Sequence, residues 1–117
     1  MKALSVGLCA AALLLSGCAH GLYRWGNYDD KLYSYYRHPE QSDKYMDGLV
    51  RIITDCNKHS SRVPPGICAE YGYCLYEKKQ HTLAVQFFEL EKTTYPESAF
   101  LMDKMIANVK SLSEGSQ

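Results

Sequence analysis

From residue 28 onward the apolar residues of this chain recur three and four positions apart, and nowhere do they alternate convincingly with a period of two. That spacing commits the chain to helices. The clearest run is residues 43–56, where Tyr45, Leu49, Ile52, Ile53 and Cys56 fall at i, i+4, i+7, i+8 and i+11 while Asp43, Lys44, Asp47, Arg51 and Asp55 lie off the stripe. Tyr28, Leu32, Tyr35 and Tyr36 repeat the pattern over 28–36. Pro39 closes that helix, because a residue before proline avoids helical angles. "NKHSSRVPPG" then interrupts the period, and Pro64 and Pro65 suit an incoming turn and a first helical position. From Pro65 to Lys78 the stripe is Cys68, Tyr71, Gly72 and Leu75. After a break at Lys79 and Gln80, Ala84, Phe87, Phe88 and Glu91 mark a helix over 81–94 that Pro96 ends. Leu101, Met105, Ile106, Val109 and Leu112 mark a last one. Ser42 and Ser98 are the expected caps. Five helices with short connections predict an all-α fold, a small antiparallel helical bundle.

The amino-terminal residues carry a different signal. Met1 and Lys2 are short and basic, Ala3 to Leu15 is an uncharged apolar run, and Ser16 and Gly17 are small. Those are the parts of a secretory signal peptide. The run falls short of the roughly 20 residues that a membrane span needs. Leu15-Ser16-Gly17-Cys18 resembles the bacterial lipoprotein box, in which the cysteine thiol is acylated and the segment before it removed. The expected organisation is therefore a cleaved signal peptide over 1–17, a lipidated anchor and short tether over 18–24, a helical domain over 25–112 and a disordered tail over 113–117. Each buried methylene contributes about 0.8 kcal/mol, so two or three acyl chains on Cys18 would hold the protein on its membrane. Ala19 is not the aspartate that commonly retains such proteins at the inner membrane, which favours the periplasmic face of the outer membrane.

One stretch says more than amphipathicity. "GICAEYGYCLYEKKQHTLAVQFFELEKTTYPES" resembles a tetratricopeptide repeat, a helix–turn–helix unit of about 34 residues. Two helices approach closely only where side chains are missing, here Gly72 against Ala84. Phe88 then fills the groove towards the next helix, and Pro96 stops the second helix. Cys68 stands where the repeat has a large aromatic, and Lys79 where it has a turn glycine. Residues 28–56 could form a second pair but lack that small-residue signature.

Charge and cysteine content narrow the function classes. Lys2 is the only charged residue among the first seventeen, so the mature part carries a formal charge of about minus one. Without a basic run, nucleic-acid binding has no electrostatic support. Cys68 and Cys74 share a helix on which six residues rise about 9 Å, beyond the roughly 7 Å that a disulfide spans. A bridge in the oxidising periplasm would thus join Cys56 to Cys68 or Cys74; otherwise the three thiols serve as small buried hydrophobes. Cys56, His59, Cys68 and Cys74 include a ligand-like Cys-x2-His spacing, but Cys68 and Cys74 should face different sides of their helix, so no metal or other cofactor is expected. The histidines lie near helix ends or in loops, which does not suit a Cys–His nucleophile. Glu89 and Glu91 read as a solvated face. No catalytic residue emerges.

The densest feature is aromatic. Tyr23, Trp25, Tyr28, Tyr33, Tyr35 and Tyr36 crowd into fourteen residues, and one helix cannot point them all inward. Tyrosine and tryptophan dominate binding hot spots, so Tyr23, Trp25, Tyr28, Tyr33 and Tyr36 form the candidate docking surface. Tyr33, off the stripe, is the one expected to be exposed. Bilayer headgroups compete as its partner, given the nearby anchor. Glu70 is expected to bond across the helix pair or to hold the proline turn; the alternative is that it lines the concave face on which repeat proteins receive peptides.

Taken in order, "LYRWGNY" (22–28), "LYSYY" (32–36), "VPPGICAEYGY" (63–73), "AVQFFELEK" (84–92) and "YPES" (95–98) resemble one bacterial lipoprotein family, known as domain of unknown function 4810. The resemblance runs from Leu22 to Ile106. It implies an envelope lipoprotein without assigned catalysis. Genes of the family typically accompany a lipoprotein resembling the curli secretion channel subunit and a second small lipoprotein. The expectation is a non-catalytic accessory subunit of an outer-membrane assembly, with those lipoproteins and the membrane as partners. The alternatives are a periplasmic thiol, redox or other enzyme, and a peptidoglycan- or glycan-binding lipoprotein.

Overall fold

The structure is a computed structural model and describes residues 21–115. Residues 1–17, expected as a signal peptide, Cys18, the expected lipidation site, and the last two residues lie outside the described residues. The five expected helices are present: α1 (Tyr28–Arg37), α2 (Ser42–Lys58), α3 (Ile67–Glu77), α4 (His81–Thr94) and α5 (Ala99–Glu114). Short 3-10 turns at Pro39–Gln41 and Pro96–Ser98 lead into α2 and α5. Among the described residues there is no strand and no helix long and apolar enough to cross a membrane.

Local chemistry explains most boundaries. Asp29 and Asp30 stand in the first turn of α1 and Arg37 in its last, each matched to the helix dipole. The turns after α2 and α3 are Schellman closures. Ser61 N–H reaches the Cys56 carbonyl at 2.8 Å, and Gln80 N–H reaches that of Leu75 at 2.9 Å. Ser60 (φ 53°) and Lys79 (φ 61°) take the left-handed position of these closures, so Lys79 performs the turn for which a tetratricopeptide repeat uses glycine.

Three expectations at helix starts fail. Ser42 is the first residue of α2 rather than its cap, because the preceding 3-10 turn feeds directly into the helix. Ser98 precedes α5 but caps no N–H; its Oγ donates to the Tyr95 carbonyl at 2.7 Å and ties the 3-10 turn instead. Pro65 is not in the helix: α3 starts two residues later, since Gly66 stands in a left-handed conformation (φ 90°) that a helix cannot include.

Each helix packs mainly on its neighbours in sequence, giving an open array. The apolar interior falls into two clusters. One is built by Tyr45, Leu49, Ile52, Ile53 and Cys56 of α2 with Ile67, Cys68 and Cys74 of α3, and α1 lays Tyr28, Leu32 and Tyr35 on it. The other joins Leu75, Ala84 and Phe88 to Met102, Ile106 and Val109 of α5. Met46, Tyr71 and Phe87 touch both. The α2 stripe is therefore buried as its spacing required. On α5 the buried stripe is Met102, Ile106 and Val109, while Leu101 and Leu112 are about half exposed. The helix packs on α4 and the turn before it, and that contact covers only a narrow stripe. Ser113 and Glu114, expected in a disordered tail, are the last residues of α5.

Candidate functional site

The aromatic segment 23–36 is partly fastened to the body and partly presented outward. Ahead of α1, Tyr23 stacks edge-on against Tyr95 with ring centres 6.4 Å apart, and Trp25 stands 5.4 Å from Tyr28. Arg24 Nε donates to the Asp55 carboxylate at 2.8 Å. That contact holds the Asp55 carboxyl below its usual range. Residues 23 and 24, expected in a free tether, thus dock on the ends of α2 and α4, and the folded part begins earlier than Trp25.

Tyr33 is 64 % exposed, as its place off the stripe required, and its hydroxyl accepts a hydrogen bond from Arg37 at 2.9 Å. Tyr36, counted on the inward stripe, is 74 % exposed. At the last turn of α1 the helix has run past the cover of α2, and Tyr35 alone reaches inward to stack on Tyr45 at 4.7 Å. Trp25 is 39 % exposed, while Tyr23 and Tyr28 are half-buried. The five expected docking residues therefore divide into two groups. Trp25, Tyr33 and Tyr36 face solvent; Tyr23 and Tyr28 hold the segment in place.

Tyr28 does so through Glu70. The hydroxyl of Tyr28 donates to one carboxylate oxygen of Glu70 at 2.7 Å, and that of Tyr45 donates to the other in a short hydrogen bond. Burial first, and the Glu70 carboxylate second, push the Tyr28 hydroxyl up to about 12 and raise that of Tyr45 as well. Both stay protonated donors at any physiological pH. Glu70 thus ties α1 and α2 to α3, whereas the proline turn is held by a different carboxylate. Glu91, read from the sequence as solvated, is 3 % exposed, and one of its oxygens accepts the Gly66 N–H at 2.7 Å. Its place on the Ala84–Phe88 stripe was the signal that it faces inward.

The close helix pair is present between α3 and α4. A Cβ at Gly72 would stand 2.8 Å from the Phe88 ring and 3.2 Å from the Ala84 carbonyl oxygen. Pro96 opens the 3-10 turn directly after α4. Sequence reasoning missed a second glycine at a crossing. Gly48 of α2 is buried and takes the Lys31 stem of α1, whose Cγ lies 3.1 Å from where a Cβ would be.

The thiols do not pair. Cys56, Cys68 and Cys74 are free and buried, so the bridge considered from Cys56 to Cys68 or Cys74 is not formed; each thiol fills a place in the apolar interior. Burial pushes the Cys68 thiol up to about 12 and the Cys74 thiol up to about 11, far from a reactive thiolate. His59 is exposed and bound to Asp55, so the four residues of the zinc pattern do not converge. Among the described residues no cluster of three His, Cys, Asp or Glu side chains could hold a metal ion.

No curated protein and no solved structure matches this chain. The order of landmarks noted along the sequence is nevertheless that of one recognised group of proteins. A family model, described as a domain of unknown function, matches residues 22–105, from the docked segment before α1 to the middle of α5, and the chain belongs to that family, DUF4810.

Proposed function

We propose that this protein is a lipid-anchored, non-catalytic interaction subunit of a bacterial envelope assembly, fixed through Cys18 to the periplasmic face of the outer membrane. Its role is to present a rigid aromatic edge to another envelope lipoprotein, such as the curli-channel-like protein or the second small lipoprotein expected beside it. The observation that carries this reading is the division of the aromatic segment. Trp25, Tyr33 and Tyr36 are exposed on a stretch that Tyr23, Arg24, Tyr28 and Tyr35 pin to the body. Aromatic side chains lose little freedom on binding, and pinning the backbone beneath them lowers the ordering cost further. The edge begins a few residues after Cys18, so a partner docked there lies close to the bilayer. Buried thiols with raised pKa values favour this reading over thiol or redox chemistry.

Palmitate labelling of the full-length protein expressed in a bacterial host tests the anchor. Label on the wild type and none on Cys18→Ser is the expected result, and an unlabelled wild type retaining residues 1–17 rules the anchor out. Crosslinking in intact envelopes tests the edge. The double variant Tyr33→Ala, Tyr36→Ala is expected to lose a lipoprotein crosslink that the wild type gives, while keeping its fold and its label.

A further inference from the structure

A groove of about 370 Å³ opens on the array where α1 and α5 stand apart across α3. Its walls are apolar and partly aromatic, with Tyr35 and Tyr36 of α1 on one side, Tyr73 of α3 between, and Leu101 and Met105 of α5 on the other. Tyr36, Tyr73 and Leu101 are 74 %, 45 % and 57 % exposed, so the walls are accessible. Glu70 is the only charged residue among those lining it.

Among the described residues, that carboxylate has no cation. The hydroxyls of Tyr28 and Tyr45 each bond one of its oxygens, and no described Lys, Arg or His side chain forms an ion pair with it. Two carboxylate oxygens offer about four acceptor positions, so each oxygen keeps capacity for a further donor. The potential at the groove is reinforced from one end. The Glu77 carboxylate is the first cause of the raised Tyr73 hydroxyl and the second, after burial, for Tyr35. Negative charge at an aromatic-lined floor selects a cation, and ring faces add attraction of their own.

We propose that this groove takes a lysine or arginine side chain from a partner polypeptide. The aliphatic stem lies between Tyr35, Tyr73, Leu101 and Met105, and the cationic head rests on Glu70. The stem matches the walls and the head matches the floor, as an amphipathic side chain requires. An ethanolamine headgroup would offer a similar ammonium, but on a two-carbon link to a phosphate. That anion would sit among apolar walls with no basic lining residue to receive it. The inference names the chemistry of a partner and holds whether or not Cys18 is acylated.

The test uses the full chain in a sugar-headgroup detergent and a fluorescently labelled helical peptide of alanine and leucine with one central lysine. A second peptide carries norleucine in place of the lysine. The lysine peptide is expected to bind about tenfold more tightly, the range of a charge-assisted hydrogen bond. Glu70→Gln keeps an acceptor for the tyrosines and is expected to abolish that preference without moving the norleucine peptide. Tyr73→Ala, at an exposed position, should weaken both peptides several-fold and preserve their ratio. Equal binding of the two peptides to the wild type, no binding of either, or a preference that survives in Glu70→Gln overturns the proposal. So does displacement of the lysine peptide by phosphatidylethanolamine vesicles but not by phosphatidylglycerol vesicles, which makes a lipid headgroup the occupant.

Discussion

Helix α3 is held on its two sides by different physics. Towards α1 and α2, two tyrosine hydroxyls converge on Glu70, and of these groups Tyr45 is buried while Tyr28 and Glu70 are half-buried. Towards α4, the contact is made by absent atoms: Gly72 lies under the Phe88 ring and against the Ala84 backbone, with Phe88 1 % exposed. Dense contacts of the second kind cannot absorb extra volume, since interiors are packed like crystals. A polar contact beside an open groove has room to adjust, and water can replace a lost partner. The difference teaches that the α3–α4 side sets the shape of the array while the α1–α3 side remains available for binding.

The strongest way to break that contrast is at Gly72. Leucine there would have to displace an aromatic ring already 2.8 Å from the position of its Cβ. Overpacking of this kind costs about 3 kcal/mol or more, which lowers the melting temperature of a domain this size by more than about 10 °C. Thermal unfolding followed by circular dichroism checks it. A melting temperature within a few degrees of wild type would show that α3 and α4 are not locked at this crossing.

Glu91 comes next, as a buried carboxylate built into the dense side. Glu91→Ala removes the acceptor of the Gly66 N–H and empties a buried volume. A stranded backbone donor costs about 1–3 kcal/mol, so about 2 kcal/mol is expected in urea unfolding with an unchanged slope. Loss of less than half of that would mean that water reaches the proline turn, and the dense side would be less dry than it looks.

The tyrosine contacts should yield less. Tyr28→Phe and Tyr45→Phe are each expected to cost about 1 kcal/mol, and the double variant less than the sum, because both donors share one carboxylate. The alkaline limb of stability carries the same information. Tyr28 ionises near 10 when unfolded and at about 12 in the fold. Between those pH values the folded chain keeps a proton that the unfolded chain has lost, so stability falls as pH rises from 10 towards 12. Tyr28→Phe should flatten that limb in pH-dependent urea melts. An unaltered limb would place the alkaline sensitivity elsewhere.

How legible each side was follows from the same physics. Apolar periodicity depends only on the chain's own spacing, so the α2 stripe could be read directly from residues 43–56. The Gly72–Ala84 approach followed from the repeat resemblance, which sent Phe88 towards the next helix and did not show its ring over Gly72. The partners of Glu70 and Glu91 could not be read in that way. Which hydroxyl or amide meets a carboxylate depends on how distant segments dock, 42 residues away for Tyr28 and 25 for both Tyr45 and Gly66. Glu91 was misread as solvated because its charge was weighed above its place in the stripe. Tyr36 and Leu101 erred the other way: periodicity marks the face a helix could bury, but an open array leaves part of it uncovered. Cys18, on which the proposed anchoring rests, lies outside the described residues.

The smallest expected effect separates the two sides most finely, because it compares one substitution at two glycines. At Gly48 a new Cβ meets the Lys31 Cγ at 3.1 Å, the middle of a flexible chain on the helix surface, where Gly72 offers only a buried ring and backbone. Lys31 can turn aside at little cost. Alanine in a helix interior is favoured over glycine by about 0.8–1.0 kcal/mol, so Gly48→Ala should gain a few tenths of a kcal/mol after the lysine rearranges. In Gly72→Ala the same propensity gain is expected to be outweighed by the clash with Phe88. Melting temperatures of the two single variants therefore move in opposite directions. If both fell by similar amounts, the α1–α2 crossing would be as rigid as the α3–α4 crossing, and the side that carries Glu70 and the exposed tyrosines would have to be counted as part of the fixed frame.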